Sequence, residues 1–156
     1  MFLTVKKYST ESPEETMEVG YHLGQLLGPG DVVCLYGELG TGKTVLVKGI
    51  ARAFGIRERD IASASFTIVT EYATSPPFAH VDLYRIERTE ELAEIGILEQ
   101  AGPEGITVIE WAEKAEGLLP DERIAVFIRA VDETVRDITI EELHEKDRDY
   151  IENRSS

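Results

Sequence analysis

The chain has 156 residues, 42% of them hydrophobic and 29% charged, the composition of a soluble globular domain with enough residues for a core. Sixteen basic against 30 acidic residues leave a net charge of −14, which argues against unaided binding to long nucleic acid or to an anionic membrane surface. Cys34 is the single cysteine, so an internal disulfide and a Cys-rich zinc site are excluded, and a reducing cytoplasm is the expected compartment.

The first twenty residues hold Lys6, Lys7 and several glutamates but no apolar stretch of the signal-peptide kind. Ser12-Pro13-Glu14-Glu15 reads as a helix start, with Ser12 as N-cap, Pro13 in the first turn and Glu15 closing a capping box. That helix is expected to run to about Leu27, where Gly28-Pro29-Gly30 stops it. Val32–Tyr36 is a short unbroken apolar run, as in a central strand covered on both faces. A second helix is predicted from about Lys43 to Phe54, with Leu46, Ile50, Ala53 and Phe54 on one face and Gly55 as its stop. Phe66–Tyr72 and Phe78–Leu83 read as two strands of a hairpin joined through Ala73–Pro77. Thr89–Ala101 reads as an acidic helix with Leu92 and Ile95 facing inward. Ile106–Glu110, Ile124–Ala130 and Val135–Glu141 complete the predicted strands. The alternation of helices and apolar strands predicts a three-layer α/β domain with a mixed, mostly parallel sheet and one β-hairpin. The expected domain spans 1–141, followed by a polar tail over 142–156.

Gly37-Glu38-Leu39-Gly40-Thr41-Gly42-Lys43-Thr44 matches G-x-x-x-x-G-K-S/T, between an apolar strand and an amphipathic helix. Its glycines allow a tight turn in which successive amides surround an anion, and the helix N-terminus adds the positive end of a dipole. Lys43 supplies a mobile charge for β- and γ-phosphates, and the Thr44 hydroxyl can ligate Mg²⁺. Glu38, Leu39, Gly40, Thr41, Gly42, Lys43, Thr44 and Val45 are therefore the expected nucleotide contacts of a P-loop NTPase-like domain. No N/T-K-x-D tetrapeptide occurs, so ATP is preferred over GTP.

Hydrolysis also needs an acid near the metal and a group that orients water. Two apolar strands end in acids, Asp82 and Glu110, and period-two alternation puts His80 on the same face as Asp82. Taken singly, each acid is equally a solvated strand-end carboxylate. His80 alone reads more simply as a packed or hydrogen-bonded strand residue, Trp111 as a core ring and Cys34 as a small hydrophobe. Five basic residues between Lys43 and Arg59, against Glu58, read either as a solvated face or as a patch that orients partners.

The Walker loop, Phe66-Thr67-Ile68-Val69-Thr70-Glu71-Tyr72, His80-Val81-Asp82-Leu83-Tyr84-Arg85, Glu91-Leu92 before Gly96, and Glu110-Trp111 together resemble the TsaE family. These are the small bacterial ATPases of tRNA threonylcarbamoyladenosine synthesis. The resemblance spans about Pro13 to Arg129. It implies that Thr44 and Asp82, with Glu110, hold Mg²⁺, that Glu110 and Lys43 serve catalysis, and that Trp111 lines the nucleotide site. It also implies partners of the TsaB and TsaD kind, with tRNA met only through that assembly. The family's S-P-T-F is replaced here by Ser63-Ala64-Ser65-Phe66. Ser65 keeps the hydroxyl expected to contact nucleotide, but Ala64 lacks the φ restraint of proline. Two other readings share the loop: a small-molecule kinase, although no R-x-x-x-R lid segment is apparent, and an assembly module that binds ATP with negligible turnover.

Overall fold

The computed structural model describes residues 4–61 and 68–143. In chain order its elements are β1 (Thr4–Thr10), α1 (Pro13–Leu26), β2 (Val32–Tyr36), α2 (Lys43–Arg52), β3 (Val69–Tyr72), β4 (Phe78–Asp82), α3 (Glu90–Ile95), β5 (Ile106–Glu110), β6 (Arg123–Ala130) and β7 (Arg136–Leu143), with 3-10 turns at Glu58–Asp60 and Ala112–Ala115. The strands form one sheet in the order β1-β7-β6-β2-β5-β4-β3. β6, β2, β5 and β4 pair in parallel, whereas β3 and β7 run against their neighbours. β1 is antiparallel to β7, so it shares the direction of the parallel strands and makes five of seven that run one way. The mixed, mostly parallel sheet and the β3–β4 hairpin are as the sequence predicts.

Helices cover both faces because the central strands are apolar on both. Val33, Cys34 and Leu35 of β2 are fully buried in succession, as parallel pairing on each side requires. Leu46, Val47 and Ile50 of α2 pack against Val33, Leu35, Val126 and Ile128 on one face. On the other, Cys34, Val81 and Ile109 meet Leu92, Ile97, Ala112 and Ala115. Burial pushes the Cys34 thiol pKa up to about 12. α1 lies directly on α2: a Cβ on Gly20 would come 2.4 Å from Leu46 O, and one on Gly49 would come 2.1 Å from Met17 O. The two backbones touch only because neither glycine has a side chain.

The start of α1 is capped as the sequence indicates, the Glu15 amide donating to Ser12 Oγ at 3.1 Å. The Glu15 carboxylate accepts from the Glu11 amide at 3.4 Å, one residue ahead of the cap. α2 closes at Arg52 rather than at Phe54, and the chain leaves it through a turn to Gly55 at φ 81°. α3 is shorter than predicted because Gly96, at φ 65°, stops it five residues before Ala101. Leu92 is buried beneath it and Ile95 packs on the same cluster, the inward face the spacing indicates.

β1 has no counterpart in the sequence reading. It is an edge strand in which only Thr10 is buried, so no apolar alternation marks it, and β7 supplies its pairing. β7 itself runs through Glu142, opposite Thr4, to Leu143, so these two residues leave the predicted polar tail and join the sheet. The rest of that tail, 144–156, lies outside the described residues, as do Phe66 and Thr67 of the predicted hairpin strand and the Ser63–Phe66 loop. Among the described residues no helix is long and apolar enough to cross a membrane.

Candidate active site

Parallel pairing brings the site together at the carboxyl ends of β2, β5 and β4. β2 delivers the glycine-rich loop to the first turn of α2, and register sets Asp82 of β4 directly beside Glu110 of β5. A hollow of about 380 Å³ opens there. Leu39, Gly40, Gly42, Lys43, Thr44 and Val45 line one wall. Asp82, Tyr84, Glu110 and Trp111 line the other.

Gly42 takes φ 103° and caps α2, a conformation that favours glycine and leaves the helix amides facing the hollow. Thr41 is buried and turned away, its hydroxyl and amide both donating to Glu38 O, at 2.9 and 3.3 Å. Thr41 therefore shapes the loop by folding it onto Glu38 O, and neither residue is among those that line the hollow. Lys43 is buried, with Nζ donating to Gly37 O and to Glu38 O at 3.4 Å. Its Nζ also stands 3.4 Å from the centroid of the Trp111 ring. Burial lowers the Lys43 pKa, partly offset by the acids Glu113, Glu110 and Asp82.

Glu110 is held at both oxygens. Thr44 Oγ1 donates to Oε1 at 2.9 Å, and His80 Nε2 lies 2.6 Å from Oε2. Glu110 is 2% exposed and His80 4%, so this pair is almost wholly withdrawn from bulk solvent. Asp82 is raised above its ordinary pKa, first by burial and then by the charge of Glu110, while the Tyr84 amide that donates to its Oδ1 at 3.1 Å pulls the other way. Ligand atoms of His80, Asp82 and Glu110 all lie within 4.8 Å of one another. Two buried carboxylates side by side, with the Thr44 hydroxyl next to them, are a hard-oxygen donor set suited to a small divalent cation.

Trp111 adopts φ 59°, the only positive φ outside glycine among the described residues. Such backbone costs on the order of 1–3 kcal/mol and persists at sites where a side chain must be aimed. Here the turn lays the indole against Lys43 and 5.3 Å from the Tyr84 ring. Lys114 braces the same corner, donating to Ile86 O at 3.2 Å with its Nζ 5.7 Å from the Trp111 ring.

Of the predicted site residues, the structure gathers Lys43, Thr44, Asp82, Glu110 and Trp111 around one hollow, while Ser65 lies outside the described residues. His80 is hydrogen-bonded, as its simpler reading holds, but its partner is the site acid. Tyr84 belongs to the quoted His80–Arg85 motif but was given no site role, and Lys114 carries no motif signal at all. Arg136 was missed as well: it reaches the loop from 95 residues away, at Thr41 O. Of the basic residues after Lys43, Lys48, Arg52 and Arg57 pair with Glu58, Glu18 and Asp60, which accounts for three of them as solvated ion pairs.

Known proteins are similar to this chain in sequence and fold. The family model described as "Threonylcarbamoyl adenosine biosynthesis protein TsaE" matches residues 10–138. The tRNA threonylcarbamoyladenosine biosynthesis protein TsaE of Bacillus subtilis (strain 168) is 38% identical over 134 residues, covering 85% of this chain and 83% of its own length. The protein of the same name from Treponema pallidum (strain Nichols) is 36% identical over 131 residues, with 84% and 96% covered. The crystal structure of Bacillus subtilis YdiB superposes with a TM-score of 0.71 at 32% identity, over 99% of this chain and 97% of that one.

Proposed function

The chain belongs to the TsaE family, whose role is in tRNA threonylcarbamoyladenosine biosynthesis, and from that premise we propose that it binds and hydrolyses ATP with Mg²⁺ in support of that modification. The observation that carries the reading is Glu110, pinned between Thr44 and His80 beside Asp82, at the open end of a complete phosphate loop.

Thr44, Asp82 and Glu110 would hold Mg²⁺, and when bound the ion supplies positive charge to the β- and γ-phosphate oxygens. The loop amides and the N-terminal end of α2 receive the phosphates. Lys43 exchanges the Gly37 and Glu38 carbonyls for phosphate oxygens, and Trp111 lines the nucleotide site. Glu110 accepts a hydrogen bond from the attacking water and orients it. Its Oε2 stays fixed on His80, so the carboxylate cannot swing away. Ser65 adds a hydroxyl from the loop that follows Ile61.

Lys43 is the one cation that the motif itself directs at the phosphates, so charge development on the transferred phosphoryl group is incompletely met by this chain alone. Partners of the TsaB and TsaD kind would complete the site, and tRNA would be reached through them, in the cytoplasm. An added cation of this kind is worth roughly 10³–10⁵-fold in related P-loop enzymes.

The test is phosphate release at saturating ATP–Mg²⁺, for the chain alone and with both partners. Slow release alone and a large acceleration with partners are expected. Glu110→Gln should bind ATP and lose roughly 100-fold or more of the stimulated rate. Lys43→Ala should lose ATP binding in calorimetric titration. Equal rates with and without partners would falsify the activation, and wild-type turnover by Glu110→Gln would remove the role given to that acid.

A further inference from the structure

We propose that Arg136 is a positioning residue for the phosphate loop, holding it in the phosphate-receiving shape from the β7 side; this rests on the nucleotide reading above. Arg136 is the first residue of β7, opposite Ala130 and Thr10 in register. Its guanidinium turns across the end of the sheet to the loop. Nε donates to Thr41 O at 2.8 Å and Nη2 to Gly40 O at 3.4 Å. Nη1 donates to Asp132 O at 2.8 Å and to Val135 O at 3.1 Å. All three nitrogens are therefore engaged by backbone carbonyls, two of them in the phosphate loop and two in the β6–β7 turn.

The loop ends of that fork have a direct consequence for phosphate. In a trans peptide the carbonyl and the following amide point opposite ways. Drawing Gly40 O and Thr41 O toward Arg136 turns the Thr41 and Gly42 amides to the other side of the chain. The Thr41 amide closes the turn on Glu38 O, and the Gly42 amide is left on the hollow side, one residue before α2 begins. The rigid five-donor fork suits this task, because a lysine can make only point contacts.

Lys43 and Arg136 hold opposite ends of the loop. Lys43 Nζ engages Gly37 O and Glu38 O, and Arg136 engages Gly40 O and Thr41 O. Lys43 must leave its carbonyls when phosphates arrive. Arg136 need not, so the loop keeps one anchor throughout. That anchor is itself braced: Asp132 Oδ1 accepts from the Thr134 and Val135 amides, at 2.8 Å each, and fixes the turn that Arg136 grips.

The test compares Arg136→Gln, Arg136→Lys and Asp132→Ala with the unaltered full-length protein. ATP–Mg²⁺ affinity is read by calorimetry, stability by ligand-free melting, and KM and kcat in the partner-stimulated assay. Losing charged hydrogen bonds to the loop should weaken ATP binding by roughly 10- to 100-fold in Arg136→Gln. Arg136→Lys should recover only part of that loss. The effect should fall on KM, with kcat largely kept, and should exceed the effect of Asp132→Ala, which loosens the turn without touching the loop. Wild-type affinity in Arg136→Gln overturns the proposal, as does an equal loss in Asp132→Ala. If Arg136→Gln does not fold, wild-type affinity in Arg136→Lys overturns it on the same criterion. Absence of ATP binding by the unaltered protein overturns the nucleotide reading and this proposal together, so the two failures are distinguishable.

Discussion

The Lys43 ammonium rests 3.4 Å from the centre of the Trp111 ring while it donates to carbonyls of its own loop. The lysine that should meet phosphate is thus parked, with its charge divided between two carbonyls and an indole face. A partly buried contact of this kind is worth about 1–2 kcal/mol, small enough for phosphate to displace.

Trp111 is the sole tryptophan, so its emission reports on this corner of the site. Adding ATP–Mg²⁺ should change the intensity or wavelength of emission in a saturable way as Lys43 moves off the ring. Lys43→Met should show altered emission without ligand and no response to ATP. An emission spectrum indifferent to saturating ATP would mean that Lys43 stays on the ring.

Asp82 makes stability depend on pH in a direction opposite to the usual carboxylate. Its folded pKa is raised by burial and by Glu110, so the ionised form opposes folding. Its contribution is favourable below the ordinary value of 3.8 and is lost as pH rises through the raised folded value. Asp82→Asn should therefore raise the ligand-free melting temperature at pH 7, and the gain should shrink as pH falls toward 3.8. The same variant should weaken the Mg²⁺ dependence of ATP binding, because an amide is a poorer ligand for a hard cation. Melting curves from pH 4 to 8 and Mg²⁺ titrations read both effects.

Gly49→Ala places a methyl group where 2.1 Å separates it from Met17 O, with backbone on both sides and nothing free to rotate aside. Overpacking of this kind costs about 1–3 kcal/mol. Because α2 also carries Lys43 and Thr44, ATP affinity should fall along with the melting temperature. Ala51→Gly, on the same helix, should lower stability through helix propensity and the loss of a buried methyl group, by about 2 kcal/mol, without overpacking the α1 contact.

Cys34 should resist thiol reagents at pH 8 in the folded chain and react only on unfolding, since it is fully buried and its pKa is pushed up to about 12. Above its ordinary pKa of 9.0 the unfolded thiol ionises while the folded one does not, so stability declines between pH 9 and 12. Burial raises the Tyr36 phenol too, and it adds to the same alkaline loss. Reagent labelling followed against denaturant, and melting at rising pH, measure the two effects.

The elements legible in the sequence are those whose signal is local. β2 and β5 are unbroken apolar runs between turns, and their ends coincide with the predicted ones. The phosphate loop is contiguous, so its eight residues identify themselves. β1 was not legible, because an edge strand whose residues are mostly exposed has no periodic apolar face and exists by pairing with β7. α3 was overextended because acidic residues continue past Gly96, and composition was followed where backbone conformation decided. Asp82 and Glu110 were legible as candidates, yet only parallel register makes them neighbours. Arg136 had no local mark of a role at the loop, since its partners there lie 95 and 96 residues away and are carbonyls, which any sequence supplies.

Thr4 of β1 pairs with Glu142 of β7, and β1 runs in the same direction as β2, whose far end carries the phosphate loop. The first and last described strands therefore begin and finish side by side at the end of the sheet remote from the nucleotide hollow. Protein engineers can exploit that neighbourhood. Fluorophores, affinity handles or surface tethers attached through either strand's remote end would leave the hollow between the phosphate loop and Glu110 clear. A short peptide bridge between those neighbouring ends would be compatible with circular permutation, new termini being opened in an exposed turn such as the one around Gly117, away from the turn that Arg136 grips.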